Sequence, residues 1–352
     1  MMKKTLAAVA VLGAFAGSAM AADVTLYGRI DTGFMYTDTN DVSKFEMKSG
    51  QKNGSRWGVK GTEDLGNGMK VGFILEGGFN SDDGTPAQAK SAGNERLFGR
   101  EATLSLYGDF GRIAAGRIAS VASDSGSMGI FGDLDPFGTS YNYAAMTNKT
   151  GSAMTRYDNV LGYASPKFGG VQIHAQYAMG DAADNKAVGN ARYGVVAANY
   201  KAGALTLLAS AEHYDYDNAK AADDGMSFIV GGNYKTDFAT FYGFANYFQD
   251  ITGVGETFGL GGKAVAVDGY GVSFAAAVPA CGGKFMASVG YRDMEASEDS
   301  SAEGNRMSGS VGFEYALSKR TTAYVVGTYV KEEWKDADQD GYQIGTGIVH
   351  KF

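Results

Sequence analysis

Cysteine occurs once in the 352 residues, at Cys281, so no disulfide forms within the chain and a disulfide-stapled scaffold is excluded. Its setting, Pro279-Ala280-Cys281-Gly282-Gly283, reads as a turn carrying a passive thiol. The three histidines, His174, His213 and His350, lie far apart and give no zinc-ligand spacing, so no metal site is expected. The chain has no Gly-x-Ser-x-Gly elbow and no phosphate-cradling glycine loop, and so no cofactor is expected. Basic charge is in deficit: the net charge of -8 argues against a nucleic-acid partner. Long apolar runs are also lacking. Leu6 to Gly17 is too short to span a bilayer as a helix, and nothing later is long enough. Proline is scarce, at 4, which leaves strands free to run without breaks.

Glycine (52), tyrosine (21) and phenylalanine (20) are abundant. Glycine at this level without a collagen period is not fibrous, and aromatics in this number suit strands and interfacial girdles. The mean hydropathy of -0.18 looks soluble, but a membrane barrel gives the same value because only alternate residues meet lipid. The start of the chain reads as an export signal. Lys3 and Lys4 precede the apolar stretch, and Ala19-Met20-Ala21 fits a small-x-small cleavage site. The expected organisation is a cleaved leader over 1–21 and one barrel domain over 22–352.

Tight connections alternate with long polar ones. The tight ones are Leu65 to Gly68, Gly108 to Gly111, Pro166 to Gly170, Lys201 to Ala204, Lys235 to Asp237, Pro279 to Gly283 and Leu317 to Arg320. The long ones fall near 37–52, 80–94, 119–152, 180–190, 215–225, 250–268, 293–305 and 331–340. Seven turns and eight loops separate sixteen segments, each about long enough for a tilted spanning strand. Alternation supports strands. In Arg306–Leu317, the residues Met307, Val311, Phe313 and Tyr315 oppose Arg306, Ser308, Ser310 and Glu314. At the end, Tyr342, Ile344, Thr346, Ile348, His350 and Phe352 share one face. A sheet of sixteen strands cannot bury one face against itself, so the inside is a water-filled lumen. The fold class is all-β: a sixteen-stranded antiparallel transmembrane β-barrel with short periplasmic turns and long external loops. His174 then reads as a lumen residue.

With these residues placed, the chain resembles the Gram-negative general porins, a trimeric sixteen-strand family, and their beta-proteobacterial branch in particular. The resemblance is carried by Asp23 to Asp31 (DVTLYGRID), Ser55 to Gly61 (SRWGVKG), Gly111 to Arg117 (GRIAAGR), Arg156 to Asn159 (RYDN), Ser165 to Gly170 (SPKFGG) and the terminal Lys351-Phe352. It implies a passive outer-membrane channel for ions and small hydrophilic solutes, not an enzyme. It also implies that the third long loop, 119–152, folds into the lumen, with Asp124, Asp133, Asp135 and Pro136 facing a basic wall ladder. The ladder would be Arg29, Arg56, Lys60, Arg100, Arg117 and Arg156. The family often has an acid directly after the proline; here Asp135 precedes it. Phe352 would be the signal read by the outer-membrane assembly machinery. Lipid and lipopolysaccharide would surround a homotrimer.

Opposed charges across a narrow wet constriction create a transverse field that favours polar solutes. Basic wall residues favour anions, while acidic loops raise cation concentration at the mouth, so the charge pattern leaves ion preference open. Two other readings stay open. A substrate-specific channel for sugar, phosphate or dicarboxylate would need a track such as Tyr27, Tyr141 and Tyr143. A structural barrel would have a blocked lumen. The trimer expectation also rests on the fourth strand: if Arg96, Arg100 and Leu104 face the lumen, Glu101, Thr103 and Ser105 face outward and suit a protein contact better than lipid. The fifth strand, with Arg117 inward, would add Arg112, Ala114, Gly116 and Ile118 to that outer face.

Overall fold

The computed structural model describes residues 23–91, 94–138, 156–180, 192–216, 224–251, 266–335 and 337–352. The leader expected over 1–21 lies outside them. Seventeen hydrogen-bonded segments form one closed antiparallel sheet. They make sixteen strands, because two segments are halves of one. The strands are β1 (Thr25–Thr39), β2 (Val42–Ser49 and Arg56–Gly66), β3 (Met69–Gly78), β4 (Glu101–Gly108), β5 (Gly111–Ala119), β6 (Arg156–Ala164), β7 (Val171–Ala178) and β8 (Arg192–Ala202). They continue as β9 (Leu205–Asp215), β10 (Gly225–Lys235), β11 (Thr240–Ile251), β12 (Val267–Ala280), β13 (Gly283–Ala296), β14 (Asp299–Ala316), β15 (Thr321–Trp334) and β16 (Ala337–Lys351). Each pairs with its neighbours in sequence. The barrel closes where β1 meets β16, from Arg29 opposite Lys351 to Thr39 opposite Gly341. Phe352 finishes the seam by exchanging backbone hydrogen bonds with Gly28, both at 3.1 Å. Closure removes the sheet edge and lets the backbone groups of β1 and β16 pair with each other.

The period of two places side chains as the alternation requires. Phe34, Val196, Leu207, Phe228, Phe274, Val289, Val311, Ile344 and Ile348 are exposed on the outside. Ser210, Asn246, Ser273, Arg306, Ser310 and Gln343 are buried on the inside. His174 also points inward and bonds Asn199 Oδ1 at 2.8 Å, so it is an inner-wall residue.

All seven tight turns lie where the sequence places them. Two show the reason directly: Asn67 between Gly66 and Gly68, and Cys281 before Gly282, hold positive φ, the geometry of a twisted hairpin turn. Three of the expected long loops are instead tight. The first is closed by Asn40 and Asp41 (φ 48 and 64), and strands run through most of 37–52, 293–305 and 331–340. These stretches are polar because they stand beyond the hydrocarbon, where a ladder needs no apolar face.

The fourth and fifth strands correct the expected phase. Glu76 pairs with Glu101, yet its carbonyl also accepts the Arg100 N–H at 3.1 Å. Two residues thus oppose one, a β-bulge that turns both Arg100 and Glu101 inward. Beyond it Thr103 and Ser105 are buried inside, and Leu104 and Leu106 are exposed outside. A second irregularity falls between Gly116 (φ 130) and Ile118. The extra residue there is on β6, where Asn159 holds φ 55. Regular pairing with β4 puts Arg112, Ala114 and Gly116 on the inner face with Thr103 and Ser105, Ile118 is buried, and Arg117 stands opposite Ala102 on the outer face.

Candidate functional site

The inner wall of β1 to β6 carries a basic cluster organised by one carboxylate. Arg29 and Arg56 face each other across the β1–β2 pair. Glu76 on β3 accepts Arg100 Nε at 2.7 Å and Tyr27 OH at 3.1 Å, and lies 3.6 Å from Arg56 Nη1. Backbone carbonyls aim the guanidinium groups: Arg56 Nε donates to Gly54 O at 2.9 Å, and Arg156 Nε to Arg100 O at 3.0 Å. Lys60 sits 5.2 Å above the Tyr27 ring. Five of the six expected wall residues are thus brought together. Arg117 is not among them. Its Nε bonds Gly99 O at 2.7 Å, and its Nη1 bonds Asp158 at 2.7 Å, a carboxylate it shares with Arg96.

Residues 120–138 run inside the barrel and cross it. At the near wall, Val121 N donates to Gln176 Oε1 at 2.7 Å, and Ser127 N to Glu101 Oε2 at 2.9 Å. Arg112 donates to Ser127 O at 3.0 Å. Phe131 and Leu134 pack with Ile229 and Phe244 in a buried apolar cluster. Phe137 enters a second cluster with Ala277, Met286, Tyr324, Val326 and Val349 at the far wall. Three inner-wall glycines seat this path. A Cβ on Gly162 would come 2.9 Å from Met128 Sδ, one on Gly231 2.7 Å from Leu134 Cδ2, and one on Gly312 2.9 Å from Phe137 Cε1.

The loop acids are engaged differently from the expectation. Asp135 opens the turn Asp135-Pro136-Phe137-Gly138, in which Gly138 N donates to Asp135 O at 3.1 Å. Its own carboxylate accepts Phe137 N at 2.8 Å and is only 2% exposed, so it does not face the ladder. Burial pushes that carboxyl up to about 7. Asp133 binds Lys201 on β8 at 2.7 Å, and its carbonyl accepts Asn233 Nδ2 at 2.8 Å. Asp124 accepts Ser125 Oγ at 3.2 Å. Tyr141 and Tyr143 lie outside the described residues.

Sequence reasoning missed the inward acids Asp31, Glu76, Glu101 and Glu332, and a second buried charge cluster. In that cluster Glu332 on β15 binds Arg292 on β13 at 2.9 Å, with Arg306 on β14 at 3.9 Å. The period of two carries the signal: Arg292, Arg306 and Glu314 all alternate with outward apolar residues on their strands. Missed too was the interruption of β2 at Gly50–Ser55, which folds over Asp31.

A closed sixteen-strand barrel, with a polar interior, an apolar exterior and a loop laid across the lumen beside a basic wall, narrows an aqueous path. The comparisons agree with that architecture. The chain matches the Gram-negative porin family over residues 7–335. It is 33% identical to an outer membrane porin protein of Bordetella pertussis, and 30% identical to the major outer membrane protein P.IB of Neisseria meningitidis, each over the whole of both chains. Among solved structures, the anion-selective porin from Comamonas acidovorans superposes with a TM-score of 0.68 at 24% identity, covering 94% of this chain and 100% of that one. By fold, lumen and sequence, the chain belongs to the Gram-negative porins, the β-barrel diffusion channels of the outer membrane.

Proposed function

We propose that this porin passes small hydrophilic solutes passively, with a preference for anions set by the β1–β6 wall. One observation carries the reading: four guanidinium groups, from Arg29, Arg56, Arg100 and Arg156, gather on one wall, two of them, Arg56 and Arg100, on the Glu76 carboxylate. The loop supports it, because Asp133 is matched by Lys201 and Asp135 is turned into its own backbone. A net positive, low-dielectric-walled constriction concentrates anions and repels cations. No bond is made or broken in passage. The test is the zero-current potential across a planar bilayer in a KCl gradient. Wild type should polarise to the anion side, and Arg56→Gln with Arg100→Gln should move the potential several millivolts toward cations. A cation-selective wild type, or an unmoved double variant, would sink the reading.

A sugar-specific track gains no support among the described residues. The inward aromatic row, Tyr157 on Tyr193 at 4.1 Å and Tyr193 on Tyr214 at 5.2 Å, is buried rather than offered to solute. The assembly is read as a homotrimer. Its support is not Glu101, Thr103 and Ser105, which face inward, but the outward Arg96–Asp158–Arg117 cluster.

A further inference from the structure

Strand β2 is interrupted by six residues opposite only two on β1, four more than the wall needs. Ser49 stands opposite Thr32 and Arg56 opposite Arg29, so Gly50–Ser55 leaves the ladder between them. The excursion turns into the lumen and is anchored there. The N–H groups of Lys52 and Asn53 donate to Asp31 Oδ2 at 2.9 and 2.6 Å, while Tyr324 OH donates to Asp31 Oδ1 at 2.7 Å. Ser55 Oγ donates to Asp31 O at 3.1 Å, and Gln51 Nε2 to Thr346 O at 3.3 Å. Asp31 is fully buried beneath it.

The two ends of the excursion meet different charges. At one end Gly54 lies against the ladder, where a Cβ would come 3.1 Å from Arg100 Nη1. At the other, the Lys52 ammonium pairs with Glu314 on β14, whose second oxygen takes Lys284 of β13 at 3.2 Å. Lys284 and Glu314 oppose each other across the β13–β14 pair. The next inward pair along is Met286 with Gly312, where Phe137 of the crossing loop is seated. The charged pair is therefore next to the loop tip, on the side of the short turns. Two ammonium groups share one carboxylate, and the Lys284 side chain is 41% exposed, within reach of lumen water.

We propose that Lys52, Lys284 and Glu314 form a second charge filter on the periplasmic side of the constriction, linked to the arginine ladder by the Gly50–Ser55 excursion. Small anions leaving the guanidinium groups meet two ammonium groups next, and the excursion makes the two regions one continuous basic surface. Glu314 is a positioning residue that holds both lysines and offsets one of their charges. The alternative is a purely mechanical latch, and the two differ in sign. Loss of a latch frees the excursion whichever partner is removed. Loss of charge from a filter moves selectivity oppositely for lysine and glutamate.

The proposal deepens the anion-preferring reading, but its test uses differences from wild type. Full-length Lys52→Met, Glu314→Gln and Lys284→Met are compared in planar bilayers under a KCl gradient. Lys52→Met and Lys284→Met should lower the chloride-to-potassium permeability ratio, and Glu314→Gln should raise it. Lys284→Met removes no anchor of the excursion, so it reads charge in an undisturbed fold. Shifts of the same sign for Lys52→Met and Glu314→Gln, or an unmoved Lys284→Met, would overturn the filter. A cation-selective wild type would refute the ladder reading alone, leaving the signs of these differences to decide this one.

Discussion

Asp135 shows how one residue can carry the right chemistry for a constriction and still be spent elsewhere. Proline at the second position of its turn fixes the backbone so that the carboxylate caps the Phe137 N–H. Buried there, its pKa rises from 3.8 to about 7. The sign follows from linkage. Between these values the unfolded chain has lost the proton that the native loop retains, so stability falls as pH rises across this window. The loss is at most about 4 kcal/mol by pH 8. Asp135→Asn keeps the accepting oxygen and removes the charge. Its thermal midpoint should decline less from pH 4 to pH 8 than that of wild type; parallel curves would refute the assignment. The other charged positions divide by legibility. Arg29, Arg56 and Arg156 were readable as wall residues because each lies in a motif that carries the resemblance, whereas Arg100 lies in none and owes its inward aim to the bulge beside Glu101. Glu76 was not, since its role depends on partners from β1, β2 and β4 that only register brings together.

At the scale of elements, the bulges decide which sequence patterns survive. Alternation reads correctly along β14 and β16, whose inner pairs run undisturbed, and fails along β4 and β5. One extra residue at Arg100 flips every later side chain of β4, and β5 follows β4 by register; a further extra residue lies on β6 at Asp158–Asn159, opposite Gly116–Ile118. No local signal distinguishes such a residue from a regular one. Turns with glycine or asparagine at positive φ were legible; the hairpin at Asn40-Asp41 was hidden because polar strands above the membrane have loop-like composition. The crossing loop is fixed less by its own sequence than by the wall's small residues. Gly312→Val should drive Phe137 off its seat, at about 1–3 kcal/mol for overpacking. With the tip displaced, single-channel conductance should change by a readily measured fraction, while the same change at Gly309, where a Cβ meets nothing within 4 Å, leaves it as in wild type. Equal conductance in both variants would mean that Phe137 does not set the aperture.

For the whole molecule, the outer surface is not uniform around the barrel. From β8 to β16 it presents Val196, Phe228, Val230, Phe274, Val289, Val311 and Ile344, a face suited to acyl chains. Around β4 to β6 it presents, beside Leu104, Ile113 and Leu161, the small residues Ala102 and Ala115 and the ionised group Arg96–Asp158–Arg117, whose side chains are 23%, 38% and 15% exposed. An arginine held against lipid at mid-depth costs about 2–4 kcal/mol, falling toward the interface. A neighbouring subunit replaces that cost with protein dipoles and covers the small residues, as the proposed trimer requires. Asp158 is the hinge of the cluster, because among the described residues it pairs with both guanidinium groups. Asp158→Asn leaves them facing each other and the partner copy, where uncompensated charge at an interface is costly. The trimer should then dissociate in mild detergent at a clearly lower temperature, followed by unheated gel migration. Arg56→Gln, inside the lumen, should leave that temperature unchanged while altering selectivity. If Asp158→Asn shifts selectivity and spares the trimer, the cluster belongs to the pore and the interface must be sought on another face.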